Sequence, residues 1–229
     1  MTMGSLYHIV ELHRHFHINR GEIRVIDGLT VDIPENCWFA LVGRSGSGKT
    51  TLLQLLGGLD RATSGSLLYR GTELTRLSRR ALTRLRRQDF GFVFQSYHLL
   101  PELSALENAA LPACGWGDDR SAAYKRAENL LVQFGLGERL EHRPAELSGG
   151  EQQRIAIARA LINDPPVILA DEPTGNLDEG AARQVVAIFR QLRAAGKTIV
   201  MVTHDRKIAA MADLQFDLSA SGAPQPAEK

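Results

Sequence analysis

The stretch Gly43–Thr50, "GRSGSGKT", constrains this chain more than any other. It follows a short apolar run, "CWFALVG" (37–43), and opens "KTTLLQLLGG", a helix that is apolar on several sides and stopped by Gly57 and Gly58. The stretch fits G-x-x-x-x-G-K-[ST] in full, after a strand and before a helix, which is the context that gives the pattern its meaning. Glycines let backbone N–H groups converge on phosphate oxygens, and a helix N-terminus favours an anion. The candidate phosphate-binding residues are therefore Gly43, Arg44, Ser45, Gly46, Ser47, Gly48, Lys49, Thr50 and Thr51. Lys49 supplies a compact charge for the β- and γ-phosphates, and Thr50 can place its hydroxyl on Mg²⁺.

Such a loop belongs to a parallel sheet, and the chain supplies one. Strands are read at "FGFVFQ" (90–95), "VILA" (167–170) and "TIVMVT" (198–203), with a helix near 179–195 between the last two. This alternation places ligands at the carboxyl ends of the strands. Residues 6–35 alternate in polarity and predict short strands and turns of an antiparallel lobe, to which "GSLLYRGTEL" (65–74) adds a hairpin. Asn36, just before the run at 37–43, is a residue type that tolerates the left-handed region. Residues 104–146 carry interrupted helical patterns, a helical insertion. The tail, "SASGAPQPAEK", reads as disordered.

Two carboxylates follow the apolar run of "VILADEP" at once. A buried strand tolerates neither, so Asp171 and Glu172 belong at its exposed end. Neighbours there point different ways. Asp171 can bind the hydrated Mg²⁺ that Thr50 contacts, and Glu172 can face the attacking water. His204 ends "TIVMVTH"; it reaches the γ-phosphate, holds Glu172 and the water, or is a satisfied strand-end histidine. Gln95 ends "FVFQ" and ligates Mg²⁺ or the water, or caps its strand. A second Gly-rich helix start, "LSGGEQQRIAIARAL" (147–161), has Glu151 three residues after Ser148, the pattern of a capping box.

Bulk properties exclude some classes. With 229 residues and a net charge of +1, there is no global electrostatic case for nucleic acid or an acidic membrane surface. Cys37 and Cys114 lie far apart, which suits a reduced, cytosolic setting. The start lacks the pattern of a signal peptide, and no apolar run approaches the roughly 18–20 residues that span a bilayer. Work at a membrane would need something else to hold the chain there.

Together these stretches resemble an ABC-type nucleotide-binding domain over about residues 6–216. "GRSGSGKT" is similar to Walker A, "VILADEP" to Walker B and "LSGGEQQ" to the signature motif. Gln95 falls at the Q-loop glutamine, "GNLD" (175–178) at the D-loop and His204 at the switch histidine. The resemblance implies an α/β fold: a P-loop NTPase with a RecA-like parallel-sheet core, an antiparallel β lobe and a helical subdomain. Residues 1–220 would form the ATP-binding domain, with the helical subdomain at about 96–160, and 221–229 the tail. It also implies ATP hydrolysis, with Glu172, His204 and Gln95 as the catalytic set and Thr50, Gln95 and Asp171 on Mg²⁺. Two chains would pair head to tail, so that Ser148, Gly149 and Gly150 face the γ-phosphate on the partner's P-loop, and Asp178 of the D-loop would be a further nucleotide-binding residue. Phe16 lies where relatives place an aromatic that stacks on adenine; its other reading is an inward-facing strand residue.

"LGGLDRATSGSL" and "FVFQSYHLLPELSALENAALP" are similar to ATPases of the macrolide-export and lipoprotein-release type, MacB/LolD-like. That implies a separate permease of the FtsX-like kind and a place at the cytoplasmic face of the inner membrane, held through the permease. The alternatives are an FtsE-like cell-division ATPase and an ABC-type ATPase acting on nucleic acid; no nucleic acid partner is expected. "RLSRRALTRLRRQ" (76–88) holds six arginines and reads as a solvated basic helix face, the alternative being a contact with permease or lipid. His13, His15 and His17 alternate and would share a strand face, read as exposed and polar rather than as a metal site.

Overall fold

The computed structural model describes residues 5–18, 21–115, 119–219 and 224–226. The expected antiparallel lobe is there, but not as short strands. β1 (Ser5–Ile18) and β2 (Gly21–Pro34) form one hairpin of two 14-residue strands. Register shifts between Ile9 and Leu12, Leu12 and Arg14, and Arg14 and His15 break the strict alternation. Bulges of this kind hide a long strand from a period-2 reading. β4 (Ser64–Tyr69) pairs with β1, and β5 (Thr72–Glu73) closes the sheet.

The second sheet runs β10-β9-β3-β8-β7-β6. Its strands β3 (Trp38–Val42), β6 (Phe90–Phe94), β7 (Val167–Asp171), β8 (Thr198–Val202) and β9 (Leu214–Asp217) are all parallel. β7 and β8 are apolar almost throughout because both faces are covered. Leu169 and Val200 face the cluster that includes Leu52, Leu55 and the antiparallel lobe's Leu6 and Ile9. Their neighbours Ile168 and Met201 face a cluster built from helical residues such as Ala109, Leu131, Ile155 and Phe189. Of the tail, Gln225 and Pro226 form a short β10 antiparallel to β9, a correction to a wholly disordered reading; residues 220–223 and 227–229 lie outside the described residues.

Helix α1 (Lys49–Leu56) lies between the sheets and buries Leu52, Leu53, Leu55 and Leu56. α2 (Arg79–Asp89) is the arginine-rich segment; it buries Leu82 and leaves Arg79, Arg80 and Arg84 exposed. α3 (Ala105–Ala110), α4 (Arg120–Gln133) and α5 (Gly149–Leu161) pack on one another as the helical insertion. α6 (Glu179–Ala194) joins β7 to β8, and α7 (Arg206–Ala209) follows β8. Asn36 takes φ 50, the left-handed turn expected of it. No described helix is long and apolar enough to cross a membrane.

Candidate nucleotide site

Because β3, β6, β7 and β8 are parallel neighbours, their carboxyl ends share one edge. Residues from three of those ends line a cleft of about 460 Å³: Gly43, Gly46, Gly48 and Lys49 after β3, Glu172 after β7, and Val202 and His204 at β8. Ser45, Thr50, Thr51 and Val25 of β2 complete it.

The loop 43–48 is built to be open to an anion. Gly46 and Gly48 take φ 79 and 93, where a side chain would be strained, and a Cβ on Gly48 would stand 2.7 Å from the Val25 carbonyl. No side chain caps the start of α1, and its first turn carries no acid. The opening N–H groups of a helix have no intrahelical acceptors. The Ser47 hydroxyl is buried without a hydrogen-bond partner. Lys49 Nζ folds back onto the Gly43 and Arg44 carbonyls at 2.9 and 2.8 Å, which keeps its charge inside the loop. The Arg44 N–H is taken by the Ser219 hydroxyl at 3.2 Å.

At β7 the two carboxylates part company as their positions require. Asp171 Oδ1 accepts from the Thr50 hydroxyl at 3.1 Å. Burial raises its pKa above the usual carboxylate value and Glu172 pushes the same way, while Thr50 and Lys49 oppose. A hydroxyl and a partly desolvated carboxylate this close are hard oxygen donors that fit Mg²⁺. Glu172 instead lies on the His204 side, with Oε2 2.6 Å from His204 Nδ1. Glu172 is mostly buried and His204 exposed, so the pair bridges core and cleft. Glu172 holds φ 47, a conformation that costs a non-glycine residue on the order of 1–3 kcal/mol and concentrates at functional sites.

Other candidates sit elsewhere. Gln95 turns to Asn176, its Nε2 donating to Asn176 Oδ1 at 3.1 Å while Asn176 Nδ2 donates to the Gln95 carbonyl at 3.3 Å. Asp178 caps α6 through the Ala181 N–H at 2.9 Å. Phe16 is partly exposed on β1, with the Arg14 guanidinium 4.0 Å from its ring centre. Neither Phe16 nor Ser148, Gly149 or Gly150 lines the cleft. At α5, Ser148 and Glu151 complete a reciprocal capping box: the Glu151 N–H donates to the Ser148 hydroxyl at 3.3 Å, and the Ser148 N–H to Glu151 at 2.8 Å. Those bonds from Ser148, with help from Arg139, hold the Glu151 carboxyl below its ordinary pKa. Gly150 is buried against α6, where an added Cβ would lie 2.7 Å from Ala181 Cβ.

Three residues that a reading of the motifs does not single out tie these parts together. Gln153 is fully buried and donates to the Pro173 carbonyl at 2.7 Å, joining α5 to the loop after Glu172. Arg159 donates to the Tyr97 carbonyl at 2.7 Å and to the His98 carbonyl, gripping the turn that follows Gln95. Asn176 holds Gln95 itself. Asn176 lies inside "GNLD", and Gln153 and Arg159 inside "LSGGEQQRIAIARAL", but the stretches do not show what these side chains reach.

A protein-family model described as ABC transporter matches residues 26–175, from β2 through the phosphate loop, the capped start of α5 and Glu172. This chain belongs to the ABC transporter family. It is an ABC ATP-binding domain in sequence and in fold. It is 46% identical over 218 residues to a lipoprotein-releasing system ATP-binding protein LolD of Shewanella frigidimarina, covering 95% of this chain and 91% of that one. It is 47% identical to the macrolide export ATP-binding/permease protein MacB of Escherichia coli O157:H7, covering 94% of this chain but 33% of MacB. The ABC cassette MJ0796, solved as a dimer bound to ADP and phosphate, superposes with a TM-score of 0.88 at 34% identity, covering 97% of this chain and 99% of that one. The ABC domain is thus of the LolD/MacB type, and its ATPase assignment agrees with that neighbour.

Proposed function

We propose that this ABC ATPase works as a head-to-tail dimer that hydrolyses ATP to drive a separate, FtsX-like permease in lipoprotein release or export. The observation that carries the reading is one cleft lined by Thr50, Glu172 and His204 above a bare helix N-terminus, with Asp171 bonded to Thr50 and Glu172 to His204. The phosphates of ATP lie in the loop 43–51, with Lys49 swinging from its two carbonyls onto them. Thr50 and Asp171 would hold Mg²⁺, which would supply charge neutralisation at the phosphates. Glu172 orients and deprotonates the attacking water, and His204, 2.6 Å away, fixes the carboxylate. Gln95, which donates to Asn176, would turn to the metal or the attacking water. Phe16 stacks on adenine beside Arg14.

Dimerisation is supported by what the cleft lacks: within one chain the Ser148–Gly150 loop does not line it. MJ0796 was solved as a dimer. The partner's loop then completes each site. The relatives LolD and MacB are named as parts of a lipoprotein-releasing system and of a macrolide exporter, which supports work with a permease. The complex sits at the cytoplasmic face of the inner membrane, peripheral through the permease.

Two measurements test this. The purified chain should hydrolyse ATP only with Mg²⁺ and with a rate per chain that rises with protein concentration as dimers form. Isolation from detergent-solubilised membranes should bring down a polytopic permease. A rate per chain independent of concentration from nanomolar to micromolar protein rules out the shared site. A chain that recovers no membrane protein under conditions preserving the dimer rules out the permease.

A further inference from the structure

The histidines of β1 do not form the plain polar face that their spacing suggests. His13 and His15 come together with their rings edge to face, 5.5 Å between centres, and Asp27 of β2 closes on them. His17 stands opposite Glu22, exposed and apart from the cluster. The register shifts around Arg14 bring Asp27 into reach, and sequence spacing alone does not show them. One ligand atom from each of His13, His15 and Asp27 fits within 4.8 Å of the other two.

We propose that His13, His15 and Asp27 form a divalent metal site of the zinc class that staples β1 to β2. His15 is the first reason. Its Nδ1 is 3.3 Å from Glu22 Oε1, its Nε2 is 3.5 Å from Asp27 Oδ1, and that Nε2 is buried without a hydrogen-bond partner. A carboxylate that holds one ring nitrogen's proton leaves the other bare, the arrangement that presents a histidine to a metal. His13 is the second. Its Nδ1 lies 2.8 Å from Asp27 Oδ1 and 3.1 Å from the Gly28 N–H. It must be protonated to serve the carboxylate and bare to serve the amide. A cation between Nδ1 and the carboxylate ends the conflict by taking the ring's one lone pair, and the Gly28 N–H then gives up its acceptor.

The separations suit that ion. Tetrahedral zinc with bonds of about 2.0–2.1 Å sets its ligand atoms about 3.3 Å apart, and the contacts of 2.8 and 3.5 Å bracket that spacing. Two imidazoles and a carboxylate select zinc and its neighbours over Mg²⁺. Arg24 is the competing cation, 3.5 Å from the other Asp27 oxygen and 3.6 Å from Glu22, but its side chain is 61% exposed and free to swing outward. Water supplies the fourth position. Arg14 and Phe16 stack on the alternate face of the same strand, so a bound ion fixes the segment that carries Phe16.

The test uses the full chain, free of any polyhistidine tag, stripped with chelator and titrated with Zn²⁺ alone against a chromophoric chelator. Expected is one ion per chain with a Kd below about 10 µM, unmoved by millimolar Mg²⁺, and intense visible bands when Co²⁺ replaces zinc. His15→Ala and Asp27→Asn should each weaken binding at least about tenfold, and Glu22→Gln should also weaken it, within the about 10–100-fold typical of such supporting groups. Should His15→Ala misfold, Asp27→Asn and His13→Gln, on more exposed side chains, decide the matter. Binding weaker than about 10 µM, or tight binding that survives Asp27→Asn and His13→Gln, overturns the proposal.

Discussion

The chain has two Gly-rich helix starts, and they are finished in opposite ways. At α1 the cap is Gly48 in the left-handed region, no side chain reaches back, and no acid stands in the first turn. At α5 the cap is Ser148, both halves of the capping box are closed, and Glu151 puts a carboxylate on the helix pole. The first start leaves its positive end for an outside anion. The second satisfies itself while the chain is alone, and Ser148 must give up its bond to Glu151 to serve a phosphate. An open site and a closed one on the same protomer suit a nucleotide that binds to one chain first and recruits the other afterwards.

The largest effect that sharpens this contrast lies at Glu172, the carboxylate proposed to activate water. Glu172→Gln should lower the turnover number by about 10²–10⁴-fold, the range for loss of a positioned base. ATP binding to the open start should survive, and the ATP-bound dimer should accumulate in size-exclusion chromatography. Wild-type turnover would remove Glu172 from the mechanism. Gly150→Ala comes next: with Ala181 Cβ 2.7 Å from the new methyl, overpacking should cost about 1–3 kcal/mol in denaturant unfolding. An unchanged midpoint would mean that this glycine serves the phosphate alone.

Ser148→Ala should cost about 1 kcal/mol of stability by removing a cap, and should slow the dimer's ATPase without weakening nucleotide binding to one chain. Ser47→Ala at the open start removes a hydroxyl without a partner and should leave the unfolding midpoint within about 0.5 kcal/mol. Equal losses at the two serines would erase the distinction between the starts. The smallest effect has the opposite sign. Asp171 has its folded pKa raised, chiefly by burial, so folding favours the protonated form. The stability this contributes is present below the unfolded carboxylate pKa and is lost as pH rises through the folded value; at neutral pH the ionised group is a net cost. Asp171→Asn should therefore raise the melting temperature of the nucleotide-free chain while abolishing Mg²⁺-dependent hydrolysis. A lower melting temperature would show that the Thr50 bond outweighs burial.

Much of the site was legible because it is written in local chemistry. "GRSGSGKT" needs a strand before it and a helix after it, and "VILADEP" needs both acids beyond the buried segment; each requirement is met within ten residues. What local pattern missed was contact between distant segments. Gln95 turns to Asn176, 81 residues on, instead of to Asp171. Arg159 grips the turn at Tyr97 and His98 through backbone carbonyls, which carry no side-chain signature. The hairpin's length was lost to bulges, which shift register without changing composition.

The sequence by itself determined where strands end and which residue types stand there, because burial and turn chemistry act over a few neighbouring positions. It determined both helix starts and their caps for the same reason. Only the tertiary structure decided which strand ends share an edge, so that Thr50 meets Asp171, and Glu172 meets His204. It alone decided that Gly150 packs on α6 and that Asp27 joins His13 and His15. Those meetings depend on sheet order and register, which are set by the summed packing of two cores and by no single segment.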